Sequence, residues 1–221
     1  MLLLGFGAKA RQGKDTAAEA IRDYYDRRNV HLQHVQTRVG VFKFATALYQ
    51  EVNKVLGNQG SENFFRRRKV WVGPTRSDFI DLPNWVQPEP NPEISDLAPY
   101  GKHSKLLQWW GTEFRRAQDP DYWTKKLFAS IPANLDIAIV TDVRFPNEVD
   151  GIKQRGGYTV NVQRLREDGT PYFSSDRSVD HPSETALDGY NWDFYIKTKE
   201  VVLKGEMAIT LAEYLHGLEK K

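Results

Sequence analysis

The stretch LLLGFGAKARQGKDT, residues 2–16, decides the fold of this chain. Its first part, residues 2–6, is a short apolar run of the type that forms a buried strand. Small and polar residues follow, and from residue 15 to residue 28 apolar side chains recur with the 3.6-residue period of a helix. The stretch therefore predicts a strand, a tight turn and the start of a helix.

The turn in this stretch has the composition of a phosphate-binding loop. The Walker A pattern is a glycine, four residues and then Gly-Lys-Ser/Thr. Gly13 and Lys14 are in place, whereas Ala8 stands at the first glycine position. The backbone N–H groups of residues 9–15 would surround a β-phosphate if Ala8 avoids positive φ, and the helix start adds partial positive charge. We therefore predict that Lys14 bridges the β- and γ-phosphates of ATP. The predicted ATP-binding residues are Lys9, Ala10, Arg11, Gln12, Gly13, Lys14, Asp15 and Thr16.

Two carboxylates near this turn are candidate magnesium ligands. Asp15 stands where most such loops carry Ser or Thr, and a carboxylate is a hard oxygen ligand that suits Mg2+. Thr16 offers the neighbouring hydroxyl, so the ligand is one or the other. Asp142 follows a predicted strand, where it would either orient Mg2+ or cap the next helix. We expect Mg2+ as a cofactor with ligands among these three residues.

Strand and helix patterns alternate along both ends of the chain, which predicts an α/β fold of the P-loop type, a parallel sheet flanked by helices. The further predicted strands cover residues 40–44, 136–141, 158–162 and 192–196. The further predicted helices include residues 104–114, 120–130 and 206–218 and one that begins at Pro146. Between residues 57 and 105 the periodicity fades and prolines interrupt the chain, which predicts an irregular insertion in one domain, residues 1–221.

The composition excludes several classes of protein. The 221 residues carry a formal net charge of +2, so no global charge calls for a nucleic acid or an anionic membrane as partner. Cysteine is absent, which excludes disulfides and thiolate metal sites and agrees with a reducing cytosol. No run of about 18 apolar residues exists to span a bilayer. We expect a cytoplasmic protein with no membrane partner; the tryptophan-rich middle of the chain leaves a homodimer possible.

Five segments in chain order carry a family pattern. They are GKDT at 13–16, FATAL at 44–48, LLQWWGTE at 106–113 with the arginines after it, TDVRFPNE at 141–148 and HPSE at 181–184. Together they resemble the deoxynucleoside monophosphate kinases of bacteriophages. The sequence departs from that family at Ala8, at Thr46-Ala47 in place of Asp-Pro, and at residues 197–199 in place of an asparagine.

The resemblance implies the reaction and its acceptor. It implies transfer of the γ-phosphoryl group of ATP to a deoxynucleoside monophosphate (dNMP), which gives the diphosphate (dNDP) for DNA synthesis, in the host cytoplasm if the chain is encoded by a phage. It also implies an acceptor-binding insertion at about 45–118 and a lid at about 165–188.

Arginines and carboxylates in these segments are the candidate substrate ligands. Arg144 follows the predicted strand at 136–141, and a guanidinium binds phosphate in a bidentate way. The predicted acceptor-binding residues are Glu113, Arg115, Arg116, Arg144 and Glu148. The predicted catalytic residues are Lys14, Asp142, Arg144 and the lid residue Arg166, with Arg164 and Arg177 as further lid arginines. Glu148 also fits a role as a helix-dipole partner, and a solvated surface charge is the alternative for each lid arginine.

Two other functions stay open from the sequence. Loops with Gly-Lys-Asp also resemble that of phosphomevalonate kinase, so a kinase for another small phosphorylated acceptor is the first. An ATP-binding protein that acts on nucleic acid is the second, with the basic run at residues 66–69 as its contact. That run also fits a solvated helix face, and nucleic acid is not our expected partner.

Overall fold

The fold comes from a computed structural model, which describes residues 1–31, 36–59, 68–71, 79–86, 94–173 and 182–219. The strands are β1 (Leu2–Gly7), β2 (Val39–Phe42), β3 (Lys69–Trp71), β4 (Phe79–Asp81), β5 (Ile137–Val143), β6 (Tyr158–Arg164) and β7 (Phe194–Thr198). The helices are α1 (Lys14–His31), α2 (Phe44–Gln59), α3 (Ser104–Gln108), α4 (Tyr122–Ser130), α5 (Pro146–Lys153), α6 (Pro182–Thr185) and α7 (Val201–Glu219). A π-helix, Trp109–Arg116, follows α3 directly.

Five strands form one parallel sheet in the order β2-β5-β1-β6-β7. The strand that begins the chain lies at the centre, and all six residues of β1 are buried. Since neighbouring strands are parallel, their carboxyl ends meet at one edge, where ligands bind in sheets of this kind. The predicted α/β class, a parallel sheet flanked by helices, is confirmed, and the five predicted strands agree with the observed ones within two residues at each end.

Helices cover both faces of the sheet. On one face α1 and α7 pack together against the strands, with Ile21, Ala208 and Leu215 in the core. On the other face α5 contacts β1 and β6 and buries Val149 and Ile152 completely. Each large apolar side chain buried in this way contributes about 1.5–3 kcal/mol. The sheet therefore forms a rigid base for the turn that follows β1.

The chain divides into two compact units. The first comprises residues 1–44 and 127–221 and contains the five-stranded sheet. The second comprises residues 45–126 and contains α3, the π-helix and the antiparallel pair of β3 and β4. Within the described ranges, no helix is long and apolar enough to cross a lipid bilayer.

Several predicted elements differ from the observed ones. The predicted irregular insertion between residues 57 and 105 contains two strands, β3 and β4, which were not predicted because they are three residues each and too short to show a period. The last helix begins at Val201 rather than residue 206, since buried Lys204 interrupts the apolar pattern of its first turn. β5 continues to Val143, so Asp142 lies inside the strand instead of after it.

The π-helix is also a correction, since the sequence predicts an ordinary helix over residues 104–114. Apolar residues spaced by three and four positions fit either kind of helix, so the pattern does not separate them. π-Helices are rare and frequently mark functional sites. This one contains the Gly111-Thr112-Glu113 segment, and Arg115 and Arg116 lie in its last turn rather than after the helix.

Candidate active site

The turn between β1 and α1 is shaped by two residues with positive φ. Arg11 has φ of 57° and Gly13 of 88°, whereas Ala8 keeps an ordinary negative φ. A Cβ atom on Gly13 would lie 2.8 Å from the Nζ atom of Lys204, so this position favours glycine for both conformation and space. The condition that the sequence set for Ala8 is therefore met, and the chain closes the loop without the first glycine of the Walker A pattern.

Lys14 lies at the centre of this turn. Its side chain is buried, and its Nζ atom donates hydrogen bonds to the carbonyl oxygens of Ala8 (3.0 Å) and Lys9 (2.8 Å). Burial, and then the positive charge of Arg144, lower the pKa of Lys14 to about 7. A desolvated ammonium group inside a loop is stabilised by a nearby anion. The turn is thus arranged to receive a negatively charged ligand.

Asp15 is fixed at the start of α1 through one carboxylate oxygen. Its Oδ1 atom accepts a hydrogen bond from Thr141 Oγ1 (2.9 Å) and lies 2.6 Å from Lys43 Nζ. Burial acts to raise the pKa of Asp15, but the hydrogen bonds from Lys43 and Thr141 outweigh it, so the pKa is lowered. No described residue donates a hydrogen bond to Oδ2, which leaves this oxygen available to a cation.

Asp142 holds the start of α2. Its Oδ1 atom accepts the backbone N–H of Phe44 at 2.8 Å. This is a helix cap, on α2 rather than on the helix that follows Asp142 in the chain. Asp142 is also close enough to Lys14 to raise the pKa of that lysine, so its carboxylate lies at the same sheet edge as the turn.

Arg144 follows β5 directly and is tied to α6. Its Nη1 atom donates hydrogen bonds to the carbonyl oxygen of Ser183 (3.0 Å) and to Glu184 Oε1. The other carboxylate oxygen of Glu184, Oε2, accepts the backbone N–H of Ala10 at 2.8 Å. One buried carboxylate therefore connects the predicted phosphate-binding arginine to the turn around Lys14.

Gln12 and Lys204 connect the turn to neighbouring elements by hydrogen bonds. The Gln12 side chain is buried, donates to the carbonyl oxygen of Tyr172 (2.6 Å) and accepts the N–H of Arg164 (2.7 Å). Lys204 of α7, 2% exposed, donates from Nζ to the carbonyl oxygen of Gln12 (2.9 Å). Burial, and then the charge of Arg164, lower the pKa of Lys204. The turn is thereby fixed to the end of β6 and to α7.

Sequence reasoning missed Lys43, Lys204 and the role of Glu184. Lys204 shares the buried face of α7 with Ala208, Ala212 and Leu215. A lysine among the apolar positions of a helix could have indicated Lys204 from the sequence. Lys43 has no such signal, since it meets Asp15 across 28 positions of the chain. Glu184 belongs to the HPSE segment of the family pattern, but nothing local predicts its contact with Arg144, 40 positions away.

The structure places Glu148 in a supporting position. This carboxylate is buried, and its Oε2 atom accepts the N–H groups of Arg144 (2.7 Å) and Phe145 (3.1 Å) at the start of α5. It fixes the backbone of Arg144, which agrees with the helix-terminus role rather than with direct contact to an acceptor.

Other predicted residues lie at the surface of the first unit. Lys9 forms an ion pair with Asp188 (3.0 Å), and Thr16 is exposed. Arg166 is exposed in the turn after β6, where its backbone N–H donates to the carbonyl oxygen of Thr170 (2.8 Å). Arg177, His181 and residues 66–67 of the basic run lie outside the described residues.

The second unit contains a rigid arginine. Arg115 pairs with Glu51, which also accepts hydrogen bonds from Trp110 Nε1 (3.0 Å) and the hydroxyl of Tyr122 (2.7 Å). Burial acts to raise the pKa of Glu51, but these hydrogen bonds outweigh it, so the pKa is lowered. The guanidinium carbon of Arg115 also lies 4.7 Å from the ring centre of Phe114. Arg115 is therefore held by an ion pair and by contact with an aromatic ring.

The two other predicted residues of this unit are placed differently. Glu113 is exposed on the π-helix. Arg116 donates from Nη1 to the carbonyl oxygen of Pro120 at 3.4 Å. Glu51, on the other hand, was not predicted to take part in this site.

Two features concern possible ligands of the first unit. A cavity of about 350 Å³ lies beside the turn and is lined by Lys9, Arg144 and Glu184 together with aromatic side chains such as Tyr172 and Trp192. In the part of the chain that the structure describes, no group of three or more His, Asp or Glu side chains forms a metal cage. Mg2+ is commonly held by one or two carboxylates plus substrate phosphates. The carboxylates of Asp15 and Asp142 fit that kind of site rather than a cage of protein ligands around a structural metal.

The comparison with known proteins agrees with this geometry. No family model matches the chain. The chain is 27% identical over 223 aligned positions to the deoxynucleoside-5'-monophosphate kinase of Escherichia phage T5, an alignment that covers 84% of this chain and 85% of that protein. Together with the parallel sheet and the turn around Lys14, this similarity supports nucleotide kinase activity in general.

Proposed function

We propose that the protein is a deoxynucleoside monophosphate kinase, which converts ATP and a dNMP into ADP and a dNDP. The observation that carries the proposal is the buried ammonium group of Lys14 at the centre of the turn between β1 and α1. A charge in that position is costly to the free protein and useful once a polyphosphate is bound. The similarity to the phage T5 enzyme supports the choice of acceptor.

The donor binds at the turn in this proposal. Backbone N–H groups of residues 9–15, apart from that of Ala10, which Glu184 accepts, and the start of α1 receive the phosphates of ATP. Lys14 exchanges the carbonyl oxygens of Ala8 and Lys9 for the β- and γ-phosphate oxygens. Lys9 and Arg11 add positive charge at the rim, which favours a ligand with several negative charges.

Mg2+ fits the donor set of the same site. Asp15 has one carboxylate oxygen held by Lys43 and Thr141 and the second without a hydrogen bond from any described residue. We assign Asp15 and Asp142 as the residues that hold the ion or its water, with Thr16 as the alternative ligand. When bound, Mg2+ would neutralise negative charge on the β- and γ-phosphates.

The transfer itself needs positioning and positive charge. A phosphate oxygen of the dNMP forms a bond to the γ-phosphorus, and the bond from that phosphorus to the β-phosphate oxygen breaks and leaves ADP. The negative charge spreads over the γ-phosphoryl oxygens. Lys14 and Arg144 would stabilise this charge, and Glu148 would hold the backbone of Arg144 in place.

The remaining roles concern the acceptor and the lid. In the second unit, Arg115 is proposed to bind the dNMP phosphate, which its fixed guanidinium plane suits, with Arg116 and Glu113 as further acceptor contacts. The segment at about 165–188 is proposed as the lid, with Arg166 as a phosphate ligand on closure. Closure would exclude water that otherwise hydrolyses ATP.

An acceptor-dependent assay tests the proposal. ADP formation is followed by a coupled enzyme reaction with ATP, Mg2+ and each of the four dNMPs in turn. We expect at least one dNMP to raise ADP formation well above the rate without acceptor. ATP binding without stimulation by any dNMP would rule out this function. Stimulation by DNA with a steep salt dependence would favour the nucleic-acid alternative.

The pKa of Lys14 predicts how ATP binding depends on pH. In the free protein, burial lowers this pKa to about 7, and bound phosphates would raise it because negative charge favours the ammonium form. The affinity for ATP is then highest below pH 7, and it falls as the pH rises above 7, by up to about tenfold per pH unit. Calorimetry at about pH 8.5 in two buffers of different ionisation enthalpy should show uptake of close to one proton. Lys14→Met should lack this uptake; equal uptake in both proteins would contradict the assignment.

A further inference from the structure

Glu184 makes contacts that no role assigned so far explains. It lies in the short helix α6, and its side chain is 5% exposed. One carboxylate oxygen accepts the N–H of Ala10 in the turn, and the other pairs with Arg144 Nη1. A buried ion pair seldom adds much stability, since desolvation offsets the attraction. The pair between Glu184 and Arg144 is therefore better explained by the geometry that it imposes.

That geometry leaves part of Arg144 available. Only Nη1 of its guanidinium group is used, by Ser183 and Glu184. The Nε and Nη2 atoms make no hydrogen bond to any residue that the structure describes. These two atoms form one edge of the guanidinium plane, the edge that binds two oxygens of a phosphate at once. Glu184 thus restrains the arginine without occupying its binding edge.

The contact with Ala10 relates the arginine to the turn. Because one carboxylate bonds both groups, the distance between the guanidinium of Arg144 and the backbone around Ala10 is restrained. Phosphoryl transfer depends on such distances, because the groups that stabilise the transferred phosphoryl must be in place before it moves. The backbone donor that Glu184 uses belongs to Ala10, which precedes the N–H groups at the start of α1 in the chain.

We propose that Glu184 is a positioning residue for phosphoryl transfer: it holds Nη1 of Arg144 against the turn that binds the donor and leaves the Nε–Nη2 edge to a phosphate. This inference rests on the proposed function and adds a residue to its machinery. The competing view is that Glu184 merely holds the place of a phosphate and leaves when ATP binds. The two views predict opposite kinetics.

Glu184→Gln separates them. The amide oxygen can still accept from Ala10, but the charge that holds Arg144 is lost. We expect kcat to fall about 10- to 100-fold, as displaced catalytic groups generally cause, while the dissociation constant of ATP changes by less than about threefold. Glu206→Gln, which removes the same charge at an exposed position of α7, is the matched control. An unchanged kcat, or ATP binding at least tenfold tighter without loss of kcat, would overturn the proposal.

A double-mutant cycle tests whether Glu184 acts through Arg144. In an Arg144→Lys background, Glu184→Gln should lower kcat by no more than about twofold, because the group it positions is gone. A full additional loss would instead indicate a general structural role and count against the proposal. Glu184→Asp keeps the charge, but its shorter side chain cannot contact Arg144 and Ala10 together, so kcat should also fall strongly. This variant replaces Glu184→Gln in the test if Glu184→Gln does not fold.

The role of Glu184 can be tested independently of the proposed dNMP kinase activity. Hydrolysis of ATP without acceptor would use the same lysine and arginine, so wild type and Glu184→Gln are compared in that reaction as well. If no dNMP is a substrate, the dNMP kinase proposal fails. Reduced hydrolysis in the variant would still support positioning by Glu184, and unchanged hydrolysis would overturn it.

Discussion

Lys14→Met lowers kcat/KM for ATP by about 1,000-fold or more, as expected when one preorganised electrostatic contact to the reacting phosphates is removed. Methionine has a similar length and no charge, so it fills the buried position in the turn without the ammonium group. The variant should fold at least as stably as wild type, because a desolvated charge has been removed. Steady-state kinetics and thermal unfolding measure the two effects.

The control for this variant is Lys125→Met. Lys125 lies at the surface of α4 and pairs there with Asp119 (2.8 Å), an exposed ion pair whose loss changes stability by less than about 1 kcal/mol. If Lys14→Met kept more than a tenth of the wild-type rate, the turn would not be the donor site.

Arg144→Lys lowers kcat by about 100- to 1,000-fold, less than the roughly 1,000- to 100,000-fold effect of an arginine on a transferred phosphoryl group, because the positive charge is kept. Lysine preserves the charge but lacks the planar fork, so it cannot pair with Glu184 and bind two phosphate oxygens at the same time. The dissociation constant of ATP should change much less than kcat, because Lys14 and the turn remain. Arg22→Lys, at a partly exposed position in the middle of α1 where the side chain pairs with Asp23, is the control. Equal loss in both variants, or loss of ATP binding alone, would contradict a role for Arg144 in the transfer.

The part of the site that is continuous in sequence was the part that could be predicted. The strand, turn and helix of residues 2–16 are local, so an apolar run, a glycine and a helical period were sufficient. The same holds for the strands of the sheet, whose buried runs are distinct. The condition on Ala8 also followed from local sterics, and the observed φ values meet it.

The groups that support the site could not be predicted in this way. Glu184 meets Ala10 across 174 positions, and Lys204 meets Gln12 across 192. Such contacts depend on how parallel strands bring distant loops to one edge, which a single sequence does not encode as a pattern. Glu51 and Arg115, 64 positions apart, are the corresponding case in the second unit. Gln12 was predicted as a phosphate contact through its backbone, whereas the link that its side chain makes between β6 and the turn was not predicted.

Transfer of a labelled phosphoryl group tests the central claim most directly. The protein is incubated with Mg2+, ATP labelled at the γ-phosphorus and each dNMP, and the products are separated by chromatography. We predict that the label appears in a dNDP in amounts equal to the ADP formed, with little free phosphate. Label found only in inorganic phosphate, or retained in ATP with all four dNMPs, would contradict the claim that this protein is a deoxynucleoside monophosphate kinase.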